Sequence, residues 1–155
     1  MTIISADVAY QYAYQNGIKF PADWRITEHF TWNEVFTNEQ ISDGYPMYEV
    51  FVNAMETAKQ MQMIRRKLQK PIIVHCWVRQ IPHNKRVGST ARKSAHINGR
   101  AVDFHVNGMS DAEVRRRILA MNLPVRVEDK TVGWVHVDIG NSYLPGAPKW
   151  GLFQG

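Results

Sequence analysis

The sequence predicts an α+β fold in one domain spanning residues 1–155, with a small, mostly antiparallel sheet flanked by helices. Three observations lead there. One long stretch carries the three-and-four spacing of an amphipathic helix, and four short stretches are β-branched or alternate in polarity as half-buried strands do. The elements then run helices, strand, loop, strand, helix, strand, strand, the order of an α+β chain.

The totals agree with that size of core. The chain has 155 residues, 45% hydrophobic and 21% charged, within the range of one globular domain. No apolar run approaches the roughly 20 residues of a membrane helix. The N-terminus "MTIISADVAYQYAYQNG" lacks a basic region followed by an apolar core, so the expectation is synthesis in a cytoplasm without a signal peptide or membrane anchor. A single cysteine, Cys76, excludes an internal disulfide.

Net charge is +5, and it is unevenly spread. Lys85, Arg86, Arg92, Lys93 and Arg100 fall in a stretch without an acidic residue. Such a stretch suits an anionic polymer such as nucleic acid, a membrane surface or bacterial wall material, and equally suits a solvated loop.

Residues up to about Ile26 admit a short helix and then a turn around "GIKFPADW"; residues 1–28 read as an N-terminal extension of unclear role. In "HFTWNEVF", Trp32, Val35 and Phe36 have helical spacing, with Thr31 as N-cap and Glu34 as its capping-box partner. The long helix follows, through Met47, Val50, Phe51, Ala54, Ala58, Met61, Ile64 and Leu68. Its methionines read as core filling rather than a ligand groove.

After Pro71, "IIVHCWV" predicts a strand with Ile73, His75, Trp77 and Arg79 on one face and Ile72, Val74, Cys76 and Val78 on the other. That places Cys76 among apolar neighbours as a structural thiol. Residues 80–98 form a long basic loop, a length that is usually functional or mobile within one domain. "AVDFHV" is the next strand. "SDAEVRRRILAMN" is a helix with Ser110 and Glu113 in capping-box spacing, and "VRVE" and "WVHVDIG" are two further strands.

Strand alternation gives the ionisable residues a geometry. Asp103 and His105 share one face of "AVDFHV", and Trp134, His136 and Asp138 share one face of "WVHVDIG", while valines and Phe104 fill the opposite faces. If the two strands are neighbours, Asp103 and His136 meet, and His96 can fold over the same sheet face from the loop. Two imidazoles and a carboxylate suit a catalytic zinc with its fourth position left for water, which zinc makes acidic enough for hydrolysis near neutral pH. The alternative is a set of unrelated surface or core residues, because a His followed by an Asp seven positions on is a loose pattern.

Three segments carry a family resemblance. "SAHINGRAVDF" has the pattern Ser-x-His-x-x-Gly-x-Ala-x-Asp, with Ser94, His96, Gly99, Ala101 and Asp103 in the matching places. "GWVHVDIG" is similar to a later family segment, and "IIVHCWVRQIPHN" to an earlier strand ending in Tyr-Arg and followed by Pro and Asn, here Arg79, Pro82 and Asn84. Together they resemble the zinc D-Ala-D-Ala carboxypeptidase and L-Ala-D-Glu endopeptidase family, peptidoglycan peptidases that include phage endolysins. The resemblance runs from about Phe30 to Trp150 and is specific from Ile72 onward.

The resemblance implies zinc held by His96, Asp103 and His136, with Arg79 stabilising the oxyanion that forms at the scissile amide. A guanidinium keeps its charge throughout such a step. It also implies bacterial peptidoglycan as the partner, no nucleic acid, and a monomer acting at the cell wall. Two departures stand out. Cys76, Trp77, Val78 and Arg79 occupy the place of the family's Ser-Gly-Tyr-Arg, and Gly133 occupies the place, three residues before the last histidine, where several members have an acidic general base. The substitutes for that base are Glu128, Asp129, Asp138 and His105, with Glu128 and Asp138 preferred. Asp138 could instead orient a ligand. Trp134 is placed to line the substrate cleft, or to pack. His29, His75 and His83 have no partners visible in the sequence. The rival readings are a His-metal nuclease and a non-catalytic module that keeps the metal fold without the base.

Overall fold

The most periodic stretch folds as helix α3, Tyr48–Leu68, in a computed structural model that describes residues 2–36, 48–79, 95–140 and 150–154. Val50, Phe51, Ala54, Ala58, Met61, Ile64 and Leu68 are all buried along it, because spacings of three and four place them on one side. Met61 fills core as expected, and Met47 lies outside the described residues. Two polar residues share that buried side, each with partners. Thr57 Oγ1 donates to a carbonyl of its own helix and to Gly99 O, and the Gln62 amide binds the backbone and ring of His29.

The α+β class is the one that forms, with two sheets where the sequence suggested one. Strands β1 (Thr2–Ile3), β2 (Trp24–Thr27) and β3 (Phe30–Thr31) make a small mixed sheet, β1 parallel and β3 antiparallel to β2. Pieces of two residues have no alternation to read, which is why this sheet was not legible. Helix α1 (Ala6–Asn16), capped by Ser5, buries Ala9 and Ala13, and Tyr10 meets Phe51 of α3 edge-on at 5.5 Å. The short helix α2 (Trp32–Val35) has the expected Thr31 and Glu34 capping box, and Trp32 Nε1 donates to Ile4 O at 2.8 Å. The first 28 residues therefore share one continuous hydrophobic core with the rest.

The larger sheet holds β4 (Ile72–Cys76), β5 (Ala101–Val106), β6 (Arg126–Glu128), β7 (Val135–Asp138) and β8 (Gly151–Phe153) in the order β4-β5-β7-β6-β8. All pairs are antiparallel except β6 with β8. Helix α4 (Asp111–Ala120) buries Val114 and Ile118 beside it, and Ser110 accepts from Glu113 N. The reciprocal half of that expected box is replaced, since the Glu113 carboxylate holds Arg116 and Arg117. Val102, Phe104, Val106, Val127, Val135 and Val137 enter the core.

One expectation about β4 fails. The register slips between Val74 and Cys76, so Val74 pairs with Phe104 but Cys76 pairs with Asp103. Such a bulge re-aims the side chains beyond it. Trp77 and Val78 are then both buried rather than alternating, and Cys76 stands opposite Asp103 in the register. Of the long loop, only the closing 3-10 helix Ala95–Asn98 is described; His83, Pro82, Asn84, Ser94 and the basic residues 85, 86, 92 and 93 lie outside the described residues.

Candidate metal centre

The centre is built from the loop end and two neighbouring strands. Gly99 ends the 3-10 helix at φ 76°, and a Cβ there would meet Val50 O of α3 at 2.9 Å, so glycine lets the chain lie directly on the helix. Thr57 Oγ1 and Trp77 Nε1 both donate to Gly99 O, at 2.9 and 3.0 Å. Arg100 then binds the carbonyls of Ile139 and Gly140 and the side chain of Asn53, which gives it a tethering part. These contacts fix His96 over the sheet, where it is 2% exposed.

Asp103 and His136 are direct partners in the register of β5 and β7, as the strand alternation required. The Asp103 carboxylate lies between two imidazoles, with Oδ1 at 2.8 Å from His136 Nδ1 and Oδ2 at 3.2 Å from His96 Nε2. The two rings sit 5.2 Å apart, edge to face. Each ring is held from its other nitrogen. His96 Nδ1 is 2.7 Å from Trp77 O, which can only accept, so Nδ1 carries a proton and Nε2 is the nitrogen turned toward Asp103, where a metal would replace the proton of the metal-free site. His136 Nε2 is 2.9 Å from Asp138 Oδ2.

Asp138 is itself pinned. Arg126 grips it with two hydrogen bonds of 2.7 and 3.0 Å, and Gly140 N donates to it at 2.8 Å. Phe153 of β8 lies 4.2 Å beneath the Arg126 guanidinium and meets the His136 ring edge-on at 5.8 Å. Asp138 is thus bound at the ring nitrogen remote from Asp103, in the place of a group that orients a ligand. Glu128 is on the other side, its Oε2 3.9 Å from His136 Nδ1.

The electrostatics follow from this packing. Burial alone would raise the Asp103 carboxyl, but the charge of His96 and the His136 hydrogen bond hold it well below the usual carboxylate range. Burial would push His96 down; attraction to Asp103 outweighs it and lifts His96 to about 10. His136 is also raised, with burial and the neighbouring His96 opposing the hydrogen bonds from Asp103 and Asp138. Asp138 is lowered, burial being outweighed by His136 and Arg126. The site thus favours positive charge beside its buried carboxylates, the sign of charge a divalent cation would supply.

The donor set fits zinc: two imidazoles with their remote nitrogens occupied, and a carboxylate between them. Among the described residues, three donor groups whose atoms all lie within 4.8 Å of one another are Cys76, His96 and Asp103. His136 joins them through Asp103. Cys76 is buried as expected, with one polar neighbour beside its apolar ones, its Sγ 3.9 Å from the His96 Nδ1 that Trp77 O holds.

Around the centre, Arg79 N donates to His96 O at 3.1 Å, tying the two residues together through the backbone. The Arg79 Nε is buried and has no hydrogen-bond partner among the described residues. Trp134 precedes β7 and is 40% exposed, with its carbonyl held by Thr131. Gly133 has φ 90°, a backbone in which an acidic residue would be strained. Asp129 is engaged through its backbone N–H with Phe153 O.

His29 and His75 are structural and exposed, respectively: His29 binds Gln62 at 2.7 Å and His75 contacts His105 at 2.6 Å, while His83 lies outside the described residues. Sequence reasoning missed Arg126 and Phe153. Arg126 was open to discovery, because alternation in "VRVE" puts it on the face of Glu128. Phe153 lies in a three-residue strand without any such signal.

No curated protein matches the chain. Residues 28–138 match the family Peptidase M15. That stretch is most of the chain and includes His96, Asp103 and His136, and so the protein belongs to the M15 zinc D-Ala-D-Ala carboxypeptidase family and is a zinc metallopeptidase.

Proposed function

We propose that the protein is a peptidoglycan peptidase of the phage-lysin type, hydrolysing an amide bond in bacterial stem peptides with zinc held by His96, Asp103 and His136. The observation that carries this is the Asp103 carboxylate bridging His96 Nε2 and His136 Nδ1 while Trp77 O and Asp138 hold the remote nitrogens. When bound, zinc supplies Lewis acidity that activates water and polarises the scissile carbonyl.

The chain's own groups supply the rest. Glu128 takes the proton from the attacking water and returns it to the leaving amine, a task for which its carboxylate stands near the Asp103 side of His136. Arg79 donates to the oxygen that becomes negative at the scissile carbon, from a guanidinium whose Nε has no competing partner among the described residues. Asp138, held by Arg126, positions His136 rather than moving protons. Trp134 offers an exposed aromatic wall to the substrate. The net charge of +5 favours approach of the monomeric enzyme to anionic wall polymers.

Digesting purified peptidoglycan with the intact protein, with a chelator and with zinc restored, tests the proposal. New termini identified by mass spectrometry distinguish cleavage at a D-Ala-D-Ala terminus from cleavage at an L-Ala-D-Glu bond. Zinc-dependent release is expected. Absence of release by zinc-loaded protein, or cutting of DNA in its place, sinks the reading.

A further inference from the structure

We propose that His75 and His105 form a second metal site, separate from the centre above, for a divalent transition ion of the kind imidazole prefers, such as nickel, copper or zinc. The two rings come from neighbouring strands, β4 and β5. His75 Nε2 lies 2.6 Å from His105 Nδ1, with the ring centroids 4.7 Å apart and the planes inclined at 44°. The slip in β4 is what brings them together. An unbroken ladder continuing from Val74 and Phe104 would set His75 opposite Asp103, but the slip gives that place to Cys76, and the His75 ring meets His105 instead.

Two bare nitrogen lone pairs would repel at this separation, so in the metal-free protein one ring donates a proton to the other. A divalent ion can take the place of that proton. Two imidazole nitrogens in neighbouring positions on one ion, each at about 2.0–2.1 Å, stand about 3 Å apart, so the pair has to open by a few tenths of an ångström. His75 is exposed and His105 half-buried, which gives the rings that freedom and lets the ion arrive from solvent. Two protein ligands leave the other positions to water, as in an exchangeable site. His105 follows Asp103 by two residues on β5, so this pair sits about 6 to 7 Å along the strand from the first centre and adds no ligand to it.

The test adds nickel to the untagged full chain with its first centre already filled by zinc, following uptake by calorimetry and zinc retention by metal analysis. Nickel is used because copper binds nitrogen and oxygen donors more tightly than zinc and would strip the first centre. Wild-type protein is expected to bind one further ion. His75→Ala and His105→Ala should each bind it about tenfold or more weakly, since losing a ligand costs at least what losing a group that orients one does. Paramagnetic nickel should also broaden the ring-proton resonances of His75 and His105 in the wild-type spectrum, a reading that needs no variant. Wild-type protein that takes up no nickel beyond its zinc, uptake unchanged in folded His75→Ala, or broadening at other histidines alone overturns the site and leaves the two rings as a hydrogen-bonded pair joining the strands.

Discussion

Glu128 and Asp138 are both carboxylates beside His136, yet their surroundings assign them different work. Asp138 is 1% exposed in its side chain, gripped by Arg126 and bonded to the remote nitrogen of the ring. Its loss should be felt first in metal binding: Asp138→Asn is expected to weaken zinc affinity about 10- to 100-fold, as the removal of a group that orients a ligand does. Glu128 has no such grip on a ligand. Glu128→Gln should leave zinc content unchanged and lower kcat about 10²- to 10⁴-fold, the range for a lost general base. Competition with a fluorescent chelator measures the first, and turnover of a stem peptide at equal zinc content the second. If Asp138→Asn holds zinc as tightly as the wild type, the orienting part assigned to it is wrong. If Glu128→Gln retains full kcat, the base lies elsewhere.

At the scale of elements, β8 is the least expected contributor. It lies outside the residues matched by the family, yet its Phe153 covers Arg126 at 4.2 Å and touches the His136 ring. The contact holds Arg126 where it can grip Asp138, so Phe153→Leu should lower zinc affinity severalfold, on the order of the 0.5–2 kcal/mol of a cation–π contact. Zinc titration and a melting curve of the metal-free protein separate this from a general loss of packing: unchanged affinity with a lower melting point would show that the strand only fills space. The same element marks the limit of what the sequence could reveal. β5 and β7 were legible because period-two alternation over four to six residues leaves one face apolar and one ionisable, while their pairing stood in the sequence only as a condition. β1, β3 and β8 are too short to show a period, and they form because neighbours offer backbone partners. The faces of Trp77 and Val78 depart from alternation for a related reason, because no residue type in "IIVHCWV" announces the bulge after Val74.

For the whole molecule, the centre couples folding, metal and pH. In the metal-free chain His96 is lifted to about 10 from the ordinary imidazole value of about 6.5, and His136 is raised as well. A raised imidazole contributes stability that is fully present below its unfolded value, about 6.5, and fades as pH climbs through its folded value. Asp103 and Asp138 are lowered from 3.8, and such groups contribute above that value and lose their effect as pH falls through their depressed folded values. The metal-free protein should therefore be most stable between about pH 4 and 6.5 and should weaken toward pH 9. Zinc competes with the protons on His96 and His136, so its stabilisation must grow as pH rises over the same interval. Melting temperatures taken at pH 5.5, 7 and 8.5, with chelator and with saturating zinc, are expected to diverge steadily, the chelated curve falling while the loaded one holds. A chelated protein that melts higher at pH 8.5 than at pH 5.5, or a zinc effect independent of pH, would mean that the protons on these two imidazoles do not hold the metal-free centre together.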